Sequence, residues 1–280
     1  MEGRHVRRLI KNWIGIFFKL VVCVVFGWPF FWLISTSLQS LNEVNTVVPT
    51  FLPAVPQFQN YVEAWHSGPL GMGIYLKNSL SVIVLVIALQ LLIMIPAAYA
   101  FAKYEFRFKG ILFGTILVAL MMPTQITFLP IYLMMSDWNL IPTLWPQILP
   151  FATNAFAIFL LRQNFMQIPN ELVEAARMDN ANEFNIITRI MLPMAKPAMT
   201  TVVLFSFVSH WNEYFWPLVM TNSDKVRTLP IGIAQLKELE GLGNANVMMA
   251  GNAILVVPIL ILYLFGSKQL IKSFAYSGIK

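Results

Sequence analysis

NSLSVIVLVIALQLLIMIPAAYAFA, residues 78–102, contains no Asp, Glu, Lys or Arg. A bilayer core needs about 20 consecutive apolar residues per helix, and this run meets that length. Working outward, further runs without those four residues cover 20–42, 110–136, 138–161 and 241–267. Another covers 197–212, is interrupted by Glu213, and resumes to residue 223. The runs are long and unbroken, whereas a transmembrane β-barrel would show short alternating segments.

Composition agrees. The 280 residues are 58% hydrophobic and 11% charged, with a mean hydropathy of +0.67. A soluble domain carries about a quarter charged residues, so that class is excluded, as are disorder, coiled coil and collagen. The single cysteine, Cys23, leaves no disulfide framework and no Cys-rich metal site. The fold class is an all-α polytopic membrane protein. Six transmembrane helices are predicted near 13–35, 77–101, 110–133, 144–165, 198–221 and 250–270, in a single transmembrane domain spanning 1–280. The first span is long, aromatic-rich and without a small-residue cleavage site, so it does not read as a cleavable signal.

With the N-terminus placed in the cytoplasm, only Lys77, Lys225, Arg227 and Lys237 fall outside, leaving 19 − 4 = 15 basic residues inside. Basic residues concentrate in cytoplasmic segments, so both termini are predicted inside, as an even span count requires. The net charge of +6 lies at membrane edges rather than in one patch, so no nucleic-acid partner is implied.

Three segments between spans are large. Residues 36–76 read as a loop packed on the outer face. In the last outer segment, about 222–249, Gly241 and Gly243 point to a flexible or reaching loop. The inner segment QIPNELVEAARMDNANEFNIITRIMLPMAKP, residues 167–197, is different. Pro169-Asn170 is a helix-start signal, with Asn170 as N-cap and Glu171 and Glu174 near the helix N-terminus. The first helix is predicted to end near Met178, with Leu172, Ala175, Ala176 and Asp179 on one side. Asn180 suits a left-handed turn. A second short helix places Phe184, Ile187, Ile190 and Met191 on its apolar side, bounded by Pro193 and Pro197. Such a hairpin suits docking to a soluble partner or lying at a lipid interface.

EAARMDN, nine further residues and IMLP resemble the EAA loop of ATP-binding-cassette (ABC) importer permeases, E-A-A, three residues, G, nine residues, I-x-L-P. The pattern falls on Glu174, Ala175, Ala176, Asn180, Ile190, Leu192 and Pro193, with Asp179 inside it; Asn180 stands where the family has glycine. FLLRQNFMQIPNELVEAARMD, WNEYFWPLVMT and SFAYSGIK are similar to the carbohydrate-uptake branch, in particular to the second, six-helix permease of maltose, multiple-sugar and glycerol-phosphate importers. The resemblance implies a type I ABC importer permease fold, in a bacterial or archaeal plasma membrane. It also implies that the 167–197 loop couples to an ATPase. The implied partners are a second, different permease subunit, two cytoplasmic ATPase subunits and an extracytoplasmic solute-binding protein. No cofactor is expected in this chain: it has no G-x-x-x-x-G-K-[ST] phosphate loop, and Mg-ATP would sit on the partner subunits. ATP hydrolysis would take place there too, so the chain itself is not expected to be an enzyme. The last outer loop in relatives reaches into the binding protein, which would give 240–248 a role.

Ionisable groups inside spans are expensive and mark function. Glu213 is the clearest, within HWNEYFWP. Aromatic rings beside amide and carboxylate groups suit sugar binding, so Trp211, Asn212, Glu213 and Tyr214 form the candidate substrate pathway, with Gln125 and Asn154 as weaker members. Packing aromatics and a Glu213 pair with a partner subunit are the competing account. Pro217 is expected to break its helix. Lys19 and Arg162 are expected to snorkel, and His210 to pack or hydrogen-bond, with no metal ligand beside it.

The function read from this is the permease subunit of an ATP-driven importer for a carbohydrate. Few cations lie at mid-membrane depth, which favours a neutral oligosaccharide. The alternative is an ion- or proton-coupled carrier or channel with Glu213 as the titrating group. A membrane enzyme would need a nucleophile, base or metal constellation, and none can be assembled.

Overall fold

The computed structural model describes the backbone of residues 2–240 and 244–277, with side chains at 12–236, 244–264, 266 and 267. No strand occurs among the described residues. The helices are α1 (Glu2–Ser37), α2 (Leu41–Val44), α3 (Gln59–His66), α4 (Met72–Lys103), α5 (Lys109–Ala119), α6 (Thr124–Asp137) and α7 (Ala155–Met166). They continue with α8 (Asn170–Met178), α9 (Glu183–Ile186), α10 (Leu192–Met194), α11 (Lys196–Trp211), α12 (Phe215–Met220), α13 (Leu229–Glu240) and α14 (Ala245–Ser277). Gly241 and Gly243, the glycines of the expected reaching loop, lie outside the described residues.

Among the described residues, three helical stretches are long and apolar enough to cross a membrane: Asn12–Ser37, Met72–Lys103 and Ala245–Leu264. Two bent pairs raise the number to five if each is one span. α5 and α6 meet at 96°, and Glu183–Met194 meets α11 at 84°.

The long helices extend past the expected 13–35, 77–101 and 250–270 and carry Pro29, Pro96 and Pro258 in their interiors. The other three expected helices are interrupted, and proline accounts for each break. In 110–133 the chain leaves the helix before Pro123, whose φ −64 and ψ 133 are extended; the residue before proline disfavours the helical region. In 144–165, Pro146 and Pro150 sit in two 3-10 turns, Trp145–Gln147 and Leu149–Phe151. A continuous helix begins only at Ala155, where the Asn154 carboxamide oxygen accepts the Ala157 N–H at 3.2 Å. In 198–221 the break falls at 212–214 rather than at Pro217 itself. A helical proline collides with the carbonyl four residues earlier, here Glu213. The chain therefore breaks upstream and leaves Pro217 in the first turn of α12, where it is tolerated.

The chain forms two compact units. The first comprises residues 1–72 and 233–257. The stretch after α1 is held by buried polar groups, which makes it a hydrogen-bonded substructure rather than a bland loop. Asn60 Nδ2 donates to the carbonyls of Ser37 and Gln39 at 2.9 and 2.8 Å. Asn246 Nδ2 donates to Asn60 Oδ1 at 2.9 Å. Ser40 and Glu43 form a capping box on α2, and Glu43 Oε1 also accepts the Ala54 N–H at 2.8 Å. That backbone bond, joined by the bonds from Ser40, holds the Glu43 carboxyl below its ordinary range. Ala64, Val247 and Ala250 pack with Tyr61 and Ile254. Within α1, Phe17, Val24 and Phe26 are all about two-thirds exposed, so this apolar helix leaves large hydrophobic side chains on its outer surface.

The second unit comprises 73–232 and 258–280. Its main core joins Met94, Ala98 and Tyr99 of α4 to Ala157, Leu161 and Phe165 of α7, Val173 of α8, and Ile186, Met191, Ala198 and Val202. Smaller clusters gather Val82 and Val86 with Ile148, and Met135 and Ile141 with Trp216 and Met220. Gly232 lies so close to Tyr75 that a Cβ there would sit 2.3 Å from the ring.

Candidate functional site

The hairpin at 167–197 is built by local chemistry. Pro169, at φ −54 and ψ 136, occupies the N-cap of α8, not Asn170 as expected. Asn170 is the first helical residue, and its Oδ1 accepts from Lys103 Nζ at 2.7 Å. At the other end Asn180 adopts φ 57. The Asn180 N–H donates to the Arg177 carbonyl at 3.0 Å and the Ala181 N–H to the Ala176 carbonyl at 2.9 Å. These two bonds are a Schellman cap, which needs a left-handed residue; asparagine supplies it in place of glycine. Asn182 then caps α9 by accepting the Asn185 N–H at 2.8 Å.

α8 buries Val173 and packs Ala176 against the core. Glu174, Ala175 and Asp179 are exposed, as is Asn180. Leu172 is 43% and Met178 82% exposed, so apolar side chains flank the flat surface at Ala175. Beyond α9 the chain makes a π turn, Ile187–Met191. A π turn brings residues five apart together. Ile186 and Met191 are therefore the buried pair, and Phe184, expected on the apolar side, is 72% exposed. Ile190 is half-buried, Leu192 packs against the core and Pro193 is exposed.

Polar groups at the end of α4 clamp the hairpin at both ends. Lys103 Nζ donates to the Ile168 carbonyl at 2.5 Å as well as to Asn170. The hydroxyl of Tyr99, itself 3% exposed, donates to Glu183 Oε2 at 2.6 Å. Arg177 Nε donates to Glu183 Oε1 at 3.1 Å, and its guanidinium lies 5.2 Å from the Tyr104 ring centre. The bond from Glu183 raises Arg177, and burial followed by the same carboxylate pushes the Tyr104 hydroxyl up. The partners that Lys103 and Tyr99 find lie 65 to 84 residues away in the chain, so no local spacing reveals them.

The intramembrane residues are arranged differently from the expected cluster. Trp211 is fully buried and stacks on Phe207 at 5.5 Å and 9°. Glu213 Oε1 accepts the Trp216 N–H at 3.0 Å and so caps α12. Asn212 Nδ2 donates back to the Val208 carbonyl at 2.9 Å. Tyr214 is exposed, as is Gln125 at the start of α6. Arg162, expected to snorkel, donates Nε to the Phe101 carbonyl at 3.1 Å and lies 4.1 Å from the Phe113 ring centre. His210 packs edge-on against Phe151 at 4.9 Å. Beside it, α7 and α11 enclose a cavity of about 200 Å³ that Asn154, Ser206, Ser209 and His210 line. Nearby, Gln90 is buried and bridges the Phe151 carbonyl at 2.9 Å and Ser206 Oγ at 2.5 Å. Of this polar lining, sequence reading places Asn154 among the weaker pathway candidates and gives His210 a packing or hydrogen-bonding role. Among the described residues, no cluster of three or more His, Cys, Asp or Glu side chains is arranged to hold a metal ion.

Residues 94–275 match the family described as binding-protein-dependent transport system inner membrane component. The chain is 31% identical over 268 residues to the arabinooligosaccharides transport system permease protein of Bacillus subtilis, covering 94% of each. It is 29% identical to the sn-glycerol-3-phosphate transport system permease protein of Rhizobium meliloti, covering 90% of this chain and 92% of that one. The fold superimposes with a TM-score of 0.82 on a chain in the crystal structure of a bacterial ABC transporter involved in the import of the acidic polysaccharide alginate. That match has 25% identity and covers 93% and 96% of the two chains. These relatives do not favour an ion-coupled carrier. The apolar helices, the helical fold and the capped EAA hairpin thus converge: the chain belongs to the binding-protein-dependent transport system inner membrane component family, as a membrane permease of the carbohydrate-uptake ABC transporter type.

Proposed function

We propose that this chain is one of two different permease subunits of an importer, and that it couples closure of two cytoplasmic ATPases to alternating access for an oligosaccharide. Six spans place both termini in the cytoplasm of a bacterial or archaeal plasma membrane. They comprise α1, α4, the α5–α6 pair, the 145–166 segment, the α11–α12 pair and α14. An extracytoplasmic binding protein delivers the sugar, and Mg-ATP is bound and hydrolysed by the partner subunits.

The observation that carries the reading is the hairpin. Its outer side offers Leu172, Ala175, Met178 and Phe184 to a partner, while its inner side is clamped to α4. An exposed apolar face on a rigidly held helix is what helix-in-groove docking requires. A hairpin lying on lipid would need no flat alanine surface, and its acidic residues Glu171, Glu174 and Asp179 would be repelled by anionic headgroups.

The test is Ala175→Arg in the importer expressed with its partner subunits. The large charged side chain prevents close approach, so ATPase co-purification and sugar uptake are both lost. Undiminished co-purification and uptake would sink the coupling role of this face.

A further inference from the structure

We infer that the second unit binds one water molecule between α4, the 145–147 turn, α12 and Thr228, as a fixed part of its structure. The inference is independent of which solute the protein carries.

Direct bonds already draw these segments together. Trp216 Nε1 donates to the Pro146 carbonyl, and Gln147 Nε2 to the Val226 carbonyl, each at 2.9 Å. The Leu229 N–H donates to Ser79 Oγ at 2.8 Å. Asn78 Nδ2 donates to the carbonyls of Lys225 and Arg227 at 2.9 and 2.8 Å. Between them lies a cavity whose polar lining is Ser79, Gln147, His210, Glu213 and Thr228. The space open to the centre of a water molecule is about 10 Å³. That is room for one water and too little for a sugar ring.

Two atoms on this lining are left over. Gln147 Oε1 and Thr228 Oγ1 are buried and find no hydrogen-bond partner among the described residues. Their residues are 2% and 4% exposed, so bulk solvent does not supply one. The Nε2 bond to Val226 fixes which end of the Gln147 carboxamide is which, so the orphan there is an acceptor. A buried polar atom without a partner is costly, and folded proteins meet the need with a protein group or an ordered water.

The lining also selects the ligand. Ser79 Oγ accepts from Leu229, which leaves its own proton to donate. Gln147 Oε1 must accept, and the Thr228 hydroxyl can do either. A water molecule donates and accepts, so it answers all three groups. A metal cation takes lone pairs only and leaves the Ser79 proton unmet.

The sign of one substitution tests this in the importer purified with its partner subunits. Thr228→Val removes the hydroxyl and keeps the side-chain shape. With a water in place the change deletes one of its bonds. The variant is then expected to melt below the wild type, with amide exchange over 226–232 raised about tenfold, the effect of one lost hydrogen bond. Thr228→Ser keeps the hydroxyl and is expected to stay near the wild type in both readouts. With no water, the same hydroxyl is a buried group without a partner, and deleting it costs nothing. Melting of Thr228→Val at or above the wild type would therefore overturn the inference. An electron cryo-microscopy map that resolves ordered waters is expected to show a peak within hydrogen-bond distance of Gln147 Oε1 and Thr228 Oγ1; no peak there would also overturn it. Wild-type melting that rises in sodium over choline at equal ionic strength, and no longer does so in Thr228→Val, would replace the water by a cation.

Discussion

Glu183→Ala is the sharpest probe of how the hairpin is held. The carboxylate accepts from the buried Tyr99 hydroxyl at 2.6 Å and from Arg177 at 3.1 Å. The two bonds are unequal. Tyr99 is 3% exposed, so losing its acceptor strands a buried hydroxyl, at about 1–3 kcal/mol. The Arg177 and Glu183 side chains are 40% and 45% exposed, so solvent screens that pair and it contributes about 0–1 kcal/mol. Their sum is about 2 kcal/mol, or roughly thirtyfold in the equilibrium for local opening. Lys103 still holds the other end at Ile168 and Asn170, so the hairpin is loosened at one end and not unfolded. The assay is amide hydrogen exchange of the purified complex. Exchange over 179–186 is expected to rise by about that factor, with α4 little changed. On the coupling role proposed above, uptake is expected to fall more than ATP hydrolysis, because a loosened hairpin would transmit less of the ATPase movement to α4. Glu183→Gln keeps an acceptor for Tyr99 and restores most of the protection. Unchanged exchange in the alanine variant would refute the clamp.

Other perturbations test separate links. Asn180→Val places a β-branched residue at φ 57 and is expected to cost about 1–2 kcal/mol, while Asn180→Gly stays near neutral; melting of the purified complex distinguishes them. Gly232→Ala drives a Cβ into the buried Tyr75 ring, an overpacking expected to cost about 1–3 kcal/mol by the same measurement. The Glu43 carboxyl is held below its ordinary value of 4.5, so its contribution is full above that pH and fades as the pH falls through the lowered value. The melting difference between the wild type and Glu43→Gln should therefore be constant near neutral pH and shrink below 4.5; a difference that grows on acidification would contradict the capping box.

The long charge-free runs determined the class of the protein without any structure. A bilayer supplies no hydrogen-bond partner, so an apolar run of that length satisfies its own backbone as a helix. The turn at Asn180 was equally legible, because a left-handed cap is set by residues adjacent in sequence. The EAA spacing, which is also local, pointed to the family that the comparisons bear out. Where prolines cluster, the same reading failed in detail: 144–165 looked apolar enough for a helix, but Pro146 and Pro150 lack the amide donors that one needs.

What only the tertiary structure decided are relations between residues far apart in the chain. The sequence makes Trp211 and Glu213 pathway candidates because aromatic and carboxylate groups adjoin there. Packing gives Trp211 a buried stack on Phe207 and Glu213 a cap on α12, neither of which the sequence shows. Tyr99 and Lys103 read as the ordinary end of a span until folding set them against Glu183, Ile168 and Asn170. The cavity beside His210 carries no signal in the sequence, because a cavity is a property of two helices and not of either one. Helix formation depends on neighbours within about four residues, and so is written locally. Which side chains meet depends on how α4, α7 and α11 pack, and no local pattern encodes that geometry.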